Sequence, residues 1–194
     1  MKKWISLLCA GVLAVSVLLS GCHRNGNAPG VETLTPSPVT DFEYTIKGEG
    51  ATAAVTINKY IGPGGQVVIP DTIENMPVVL IEENAFQKSE TITLVVLPKN
   101  VKTIMPLTFR DCIALESIII PEGIETIEGG TFKNCTALTS VTLPNSLLKI
   151  GASTFEGCTA LVDIRIPINT LFVGENIFKS CTSLKSVRFE GDAL

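Results

Sequence analysis

The chain has little of what catalytic sites are commonly built from. Among its 194 residues there is one histidine, His23, one tryptophan and two tyrosines, and aromatics make up only 6%. A single histidine leaves no material for a His-rich metal site, and it supports Ser-His-Asp or Cys-His chemistry only if it sits in a folded pocket. His23 stands instead in His-Arg-Asn-Gly-Asn-Ala-Pro-Gly, a run suited to open chain. Basic charge is scarce as well: the formal net charge is −4 and the isoelectric point near 5.1, so there is no electrostatic footprint for nucleic acid. Gly62-Pro63-Gly64-Gly65 lacks the Gly-Lys-Ser/Thr ending of a phosphate loop and reads as a turn. No acidic pair recurs at a fixed place, so a glycosidase dyad has no support. With neither a nucleophile–base pair nor a metal cluster to assemble, the expectation is a protein without catalytic residues, metal or cofactor.

Apolar residues are abundant, at 45% of the chain and a mean hydropathy of +0.38. Part of this mass is N-terminal. Lys2 and Lys3 precede an apolar run from Trp4 to Leu19, the layout of a secretory signal peptide over residues 1–21. The run is shorter than the ~20 apolar residues a spanning helix needs. At its end Leu19-Ser20-Gly21-Cys22 resembles the bacterial lipobox. That resemblance implies cleavage before Cys22, a thioether-linked diacylglycerol on its sulfur and attachment to a bacterial membrane. Two or more acyl chains matter, since each buried CH2 contributes ~0.8 kcal/mol and one chain holds only marginally. Residues 22–40 are dominated by Gly, Pro, Asn, Ser and Thr and read as the lipidated Cys and a flexible tether.

Beyond the tether the sequence repeats with a step of 23. Phe86, Phe109, Phe132, Phe155 and Phe178 keep it, as do Pro98, Pro121, Pro144 and Pro167. So do Cys112, Cys135, Cys158 and Cys181, and Leu115, Leu138, Leu161 and Leu184. Several columns in one register mean stacked supersecondary units. Within a unit, Val162-Asp163-Ile164-Arg165-Ile166 alternates polar and apolar and predicts a short half-buried strand, ended by Pro167, which has no N–H for a ladder. Glu156-Gly157-Cys158-Thr159-Ala160-Leu161 predicts a compact turn or one helical turn. No unit can bury its apolar edge alone, and stacking at the ~4.8 Å strand spacing does so.

These columns resemble the BspA-type leucine-rich repeat, with the match densest from Pro121 to Leu143 and a characteristic opening at Ile69 to Val78. The resemblance implies an α/β-type leucine-rich repeat solenoid, a right-handed coil with a short-stranded parallel sheet on one side and turns on the other. It also implies a surface or secreted protein used in adhesion and protein recognition. On this reading residues 41–69 form an N-terminal β cap and 70–194 the solenoid. Pro70 to Pro98 is five longer than the period, so the first turn carries an insertion.

The cysteine column invites a chemical role, but a step of 23 is not C-x2-C and no histidines accompany it. Adjacent rungs lie within disulfide range, so pairing stays open on distance alone. Ser89 occupies the same column in the first unit, which points to a need for a small side chain. Asn134-Cys135-Thr136 is a formal glycosylation sequon beside a buried column and carries no weight.

The buried columns are uniform, and the outward ones are graded. Two residues before each proline they read Val68, Val96, Ile119, Thr142, Arg165 and, by extension, Arg188; Leu94 leads the column two residues earlier. Leu94, Val96 and Ile119 are expected to form an exposed apolar patch for a protein partner, with Thr142, Arg165 and Arg188 as polar anchors. Strand propensity also favours Val, Ile and Thr, so the apolar end has a second explanation. At the C-terminal end Thr170 replaces Val101, Ile124 and Leu147, and Leu171 and Phe172 read as exposed. No cap is visible there, so the end pairs with another molecule, stays open, or belongs to a truncated gene. The functional expectation is a lipid-anchored cell-surface protein that recognises or adheres to protein. A structural spacer of the envelope and a carbohydrate-binding module are the alternatives, the latter disfavoured because the outward columns hold no aromatic platform.

Overall fold

The computed structural model describes residues 33–190 and the backbone of Val15–Ser16. The expected signal peptide, apart from that dipeptide, lies outside the described residues, as do Cys22 and the tether up to residue 32. The chain divides into two compact units, Met1–Pro36 and Ser37–Leu194. In the first, β1 (Val15–Ser16) pairs antiparallel with β2 (Thr33–Leu34). The second is the repeat body. Ser37–Thr40, expected in the tether, belong to it: the Ser37 N–H donates to the Val68 carbonyl at 2.9 Å, and the Val68 N–H donates to Ser37 Oγ at 3.0 Å.

The body opens with a cap. Strands β3 (Phe42–Lys47) and β4 (Ala54–Tyr60) form an antiparallel pair. Next comes β5 (Gly65–Val68), then a hairpin of β6 (Thr72–Ile73) and β7 (Met76–Ile81). The hairpin turn, Glu74-Asn75, has φ of 51° and 63°, the doubly left-handed geometry of the two-residue turns that suit twisted strands. This hairpin sits in the stretch with the five-residue insertion, and β7 lies parallel against β4, giving a cap sheet of order β3-β4-β7-β6. Strand pairing crosses the expected cap boundary at residue 69 in both directions. Residues 72–81 join the cap, and β5 pairs with the solenoid instead.

The repeats then supply β8 (Ile92–Val96), β9 (Thr103–Ile104), β10 (Ser117–Ile119), β11 (Thr126–Ile127), β12 (Lys149–Ile150), β13 (Asp163–Ile166), β14 (Phe172–Val173) and β15 (Ser186–Phe189). β5, β8 and β10 form one parallel sheet and β13 and β15 another, with a single bridge from Ile119 to Thr142 between them in sequence. Sequence reading expected a sheet on one side only. A second parallel sheet, β9-β11-β12-β14, is present as well, because each coil extends twice per turn. The turns hold no α-helix; the described helical segments are two short 3-10 turns in the cap, Val39–Asp41 and Gly50–Thr52.

The interior is a stack of rings. Phe86, Phe109, Phe132, Phe155 and Phe178 follow one another at centroid distances of 5.0, 5.6, 5.4 and 6.0 Å. The cap continues it: Tyr60 stacks on Phe86 at 5.3 Å and Phe42 tilts onto Tyr60 at 5.6 Å. Burying each phenylalanine contributes roughly 1.5–3 kcal/mol, which a lone unit forfeits.

Beside the rings runs a polar column that apolar periodicity does not reveal. Thr108, Thr131 and Thr154 are fully buried, and each hydroxyl donates to the carbonyl three residues back: Met105 at 2.7 Å, Glu128 at 2.6 Å and Gly151 at 2.7 Å. Thr131→Val keeps the volume and removes the donor. It is expected to cost about 1 kcal/mol in urea unfolding, because the Glu128 carbonyl loses its short bond and keeps only Thr154 Oγ1 at 3.4 Å; no change would mean the hydroxyl is idle.

Candidate functional site

Each strand of the β5-β8-β10 sheet sends alternate side chains away from the ring stack, and the register sets them in rows. Gln66, Leu94 and Ser117 are aligned, as are Val68, Val96, Ile119 and, through the bridge, Thr142. On the second pair, Asp163 faces Ser186 and Arg165 faces Arg188. The sequence-predicted residues thus occupy the outward rows of two separate sheets, and they do not form one exposed surface.

Leu94 and Val96 are buried, at 6% and 5% exposure, so the expected apolar patch is corrected. Alternation reports the direction of a side chain, not what lies over it. Val68, Leu94 and Val96 form a contiguous apolar group across hydrogen-bonded strands, and withdrawing such groups from water is favourable. Ile119 is half-buried at the margin. Thr142, Arg165 and Arg188 are exposed, as desolvating a guanidinium without a full set of partners is costly.

The exposed half has a shape that the 23-residue step does not foretell. Ladder pairing lapses at residues 140–143, where only the Ile119–Thr142 bridge remains. A cleft of about 470 Å3 opens there, lined by Glu122, Ser140, Thr142, Asp163, Arg165 and Glu190 among others. A smaller one, about 190 Å3, lies between Asp163, Arg165, Ser186 and Arg188. Arg165 donates from Nη1 to Glu190 Oε1 at 2.8 Å, and Arg188 has no ion pair among the described residues. Glu190 was not singled out from sequence; its only signal was a carboxylate two residues beyond an outward arginine.

The cysteines do not supply chemistry. All four are free thiols, and each donates to a phenylalanine carbonyl of the preceding coil: Cys112 to Phe86 at 3.0 Å, Cys135 to Phe109 at 3.1 Å, Cys158 to Phe132 at 3.1 Å and Cys181 to Phe155 at 3.0 Å. Burial pushes the Cys112 and Cys158 thiols up to about 12 and raises Cys135 well above the usual range. A thiol so held is neither a nucleophile nor a ligand at neutral pH. Among the described residues no three His, Cys, Asp or Glu side chains gather as a metal site, and no helix is long and apolar enough to cross a membrane. The sequon asparagine Asn134 donates from Nδ2 to Asp111 Oδ1 at 2.8 Å.

Stacked coils, a single ring axis and a repeated thiol–carbonyl bond define a repeat architecture, and a family model described as BspA type leucine rich repeat region matches residues 68–193 in six copies. The chain belongs to this family. Among solved structures, a leucine-rich repeat protein of T. pallidum is 32% identical with a TM-score of 0.73, the match covering 79% of this chain and 71% of that one. A leucine-rich repeat protein from Bacteroides ovatus is also 32% identical, with a TM-score of 0.66, over 76% of this chain and 39% of that one. A leucine rich cell surface protein from Faecalibacterium prausnitzii shares the fold at 19% identity and a TM-score of 0.52, over 83% of this chain and 56% of that one. No curated protein matches. The interior of the repeats is committed to packing, and the outward rows hold the side chains that vary from coil to coil.

Proposed function

We propose that the chain is a lipid-anchored surface protein of a bacterium that binds a protein partner through the C-terminal half of its outward sheet face. The observation that carries this reading is the grouping of Thr142, Arg165 and Arg188 along two adjoining clefts while the neighbouring apolar row is closed. Arginine offers five donors in a fixed fork and is enriched among residues that dominate binding energy. Ile119, half-buried beside Thr142, supplies an apolar margin. Leu94 and Val96, withdrawn from water in the neighbouring outward rows, make no contact with the partner. Attachment through Cys22 rests on the signal layout that ends in it, and the surface location also on the shared fold with a protein described as a cell-surface one. No aromatic stands in the outward rows of β5, β8, β10, β13 or β15, which favours a protein over a sugar as ligand.

The test is capture of partner by cells displaying the full chain. Arg165→Ala with Arg188→Ala is expected to lower capture at least about tenfold, the loss of a hot spot. Lys102→Ala, beside the other sheet, leaves it unchanged. Equal capture by the arginine variant would end the reading of the face. Separately, Cys22→Ser should abolish incorporation of a labelled fatty acid; persistent label would end the reading of the anchor.

A further inference from the structure

The cap sheet ends on two edge strands that differ in protection. β6 holds two residues and turns at once into β7, which is too little ladder for a partner. β3 holds six, Phe42–Lys47, without a proline, and among the described residues its one ladder partner is β4. Its outer edge therefore presents backbone N–H and C=O groups without a ladder bond. Where the register shifts, Glu43 aligns with Lys59 and Tyr44 with Ile57, so the extra residue, Asn58, lies on β4 and β3 itself runs regularly. Phe42, Tyr44 and Ile46 then share the core side of the strand, and Glu43, Thr45 and Lys47 the other. Phe42 is buried and Tyr44 half-buried against the core, but Ile46 is 41% exposed although Val55, aligned with it on β4, is fully buried. The apolar row of the cap sheet thus runs out uncovered at this edge.

We infer that β3 pairs with β3 of a second copy of the chain, antiparallel about a two-fold axis at Thr45, so that the two four-stranded cap sheets become one. The occupant follows from charge and register. Residues opposed across antiparallel strands share a face, so the admissible registers match apolar row with apolar row. Centring on Thr45 sets Glu43 of each copy opposite Lys47 of the other, and Tyr44 opposite Ile46, which covers Ile46. Centring on Tyr44 or Ile46 sets one charge against Thr45 and carries the other beyond the strand. An in-register parallel copy would oppose like charges, which is destabilising. Lys47 is available for this role, since its ion pair to Glu82, at 3.8 Å, is long and exposed. The contact is isologous and closes at two. It uses the cap sheet and no residue of the outward rows, so it is independent of partner recognition.

Sedimentation velocity of the full chain in dodecyl maltoside tests this. The wild type is expected to carry the protein mass of two 20.7 kDa chains. Lys47→Glu alone and Glu43→Lys alone each oppose like charges across the axis and are expected at the mass of one, with an unchanged circular dichroism spectrum. Mixed in equal amounts, the two variants are expected to return to the mass of two, because each copy then offers the charges that the other lacks. A wild type that stays single at every concentration overturns the inference. So does a variant that stays double, or a mixture of folded variants that stays single. Should a variant lose its fold, amide exchange of the wild type decides: protection of Phe42–Lys47 that rises with concentration supports the pairing, and protection independent of concentration refutes it.

Discussion

Phe132→Ala is expected to lower the unfolding free energy by about 3–5 kcal/mol, measured by urea titration. Phe132 is fully buried, parallel to within 6° of Phe109 at 5.6 Å and within 12° of Phe155 at 5.4 Å. Truncation removes a ring that both neighbours touch, and the coils cannot collapse onto the gap because their spacing is held by backbone bonds, such as Phe109 N–H to the Thr131 carbonyl at 2.9 Å and Phe132 N–H to the Thr154 carbonyl at 2.9 Å. In a stack with nearest-neighbour coupling, loss at the centre uncouples both flanks. Phe178→Ala has one ring neighbour and a partly open side, so it should cost roughly half as much. Equal costs at the two positions would show that the rings do not act as one axis.

Stability is expected to fall steeply in alkali, and the thiol column is the cause. Burial raises the folded-state pKa of Cys112 and Cys158 from 9.0 to about 12. Above pH 9 the unfolded chain loses these protons and the folded chain keeps them, so the folded state binds more protons and stability declines as pH rises. The contribution is complete below pH 9 and is lost progressively through pH 12. For these two thiols together the loss reaches about 4 kcal/mol at roughly pH 10.5. Cys135 moves in the same direction, and Tyr60, raised mainly by burial, adds to the slope. The check is a comparison with Cys112→Ser and Cys158→Ser combined. Serine is as small as cysteine and already stands in this column as Ser89, but it does not titrate. The serine variant should show a shallower pH profile between 9 and 11; parallel profiles would place the alkaline loss elsewhere.

Much of the architecture is legible in the residues, since stacking turns sequence period into spatial column. The phenylalanines 23 apart, the cysteines that accompany them and the strand at Asp163–Ile166 can be read directly because every coil repeats the same packing problem. Thr108, Thr131 and Thr154 keep the same step, but their burial and carbonyl bonds are not legible in it, and the left-handed positions could not be read that way. Asn84, Leu107, Gly130, Ser153 and Asn176 also recur at 23 with φ between 55° and 64°, yet their side chains share no chemical class. What they share is a backbone conformation, which glycine and asparagine adopt easily and Leu107 adopts with its side chain lying over Gly130.

The candidate face divides in the same way. Sequence alone determined that the chain coils with a step of 23, which side chains turn inward, and that Arg165 and Arg188 stand side by side on neighbouring strands. These are properties of one unit copied along the chain, so local pattern contains them. Only the tertiary structure decided that Leu94 and Val96 are withdrawn from water, that the ladder lapses at residues 140–143 to open a cleft, that the inserted segment folds back into the cap, and that a second sheet runs through the coils. Each of these depends on what lies across a coil or at its ends, and burial there is set by neighbours distant in sequence, on which a repeat's own periodicity carries no information.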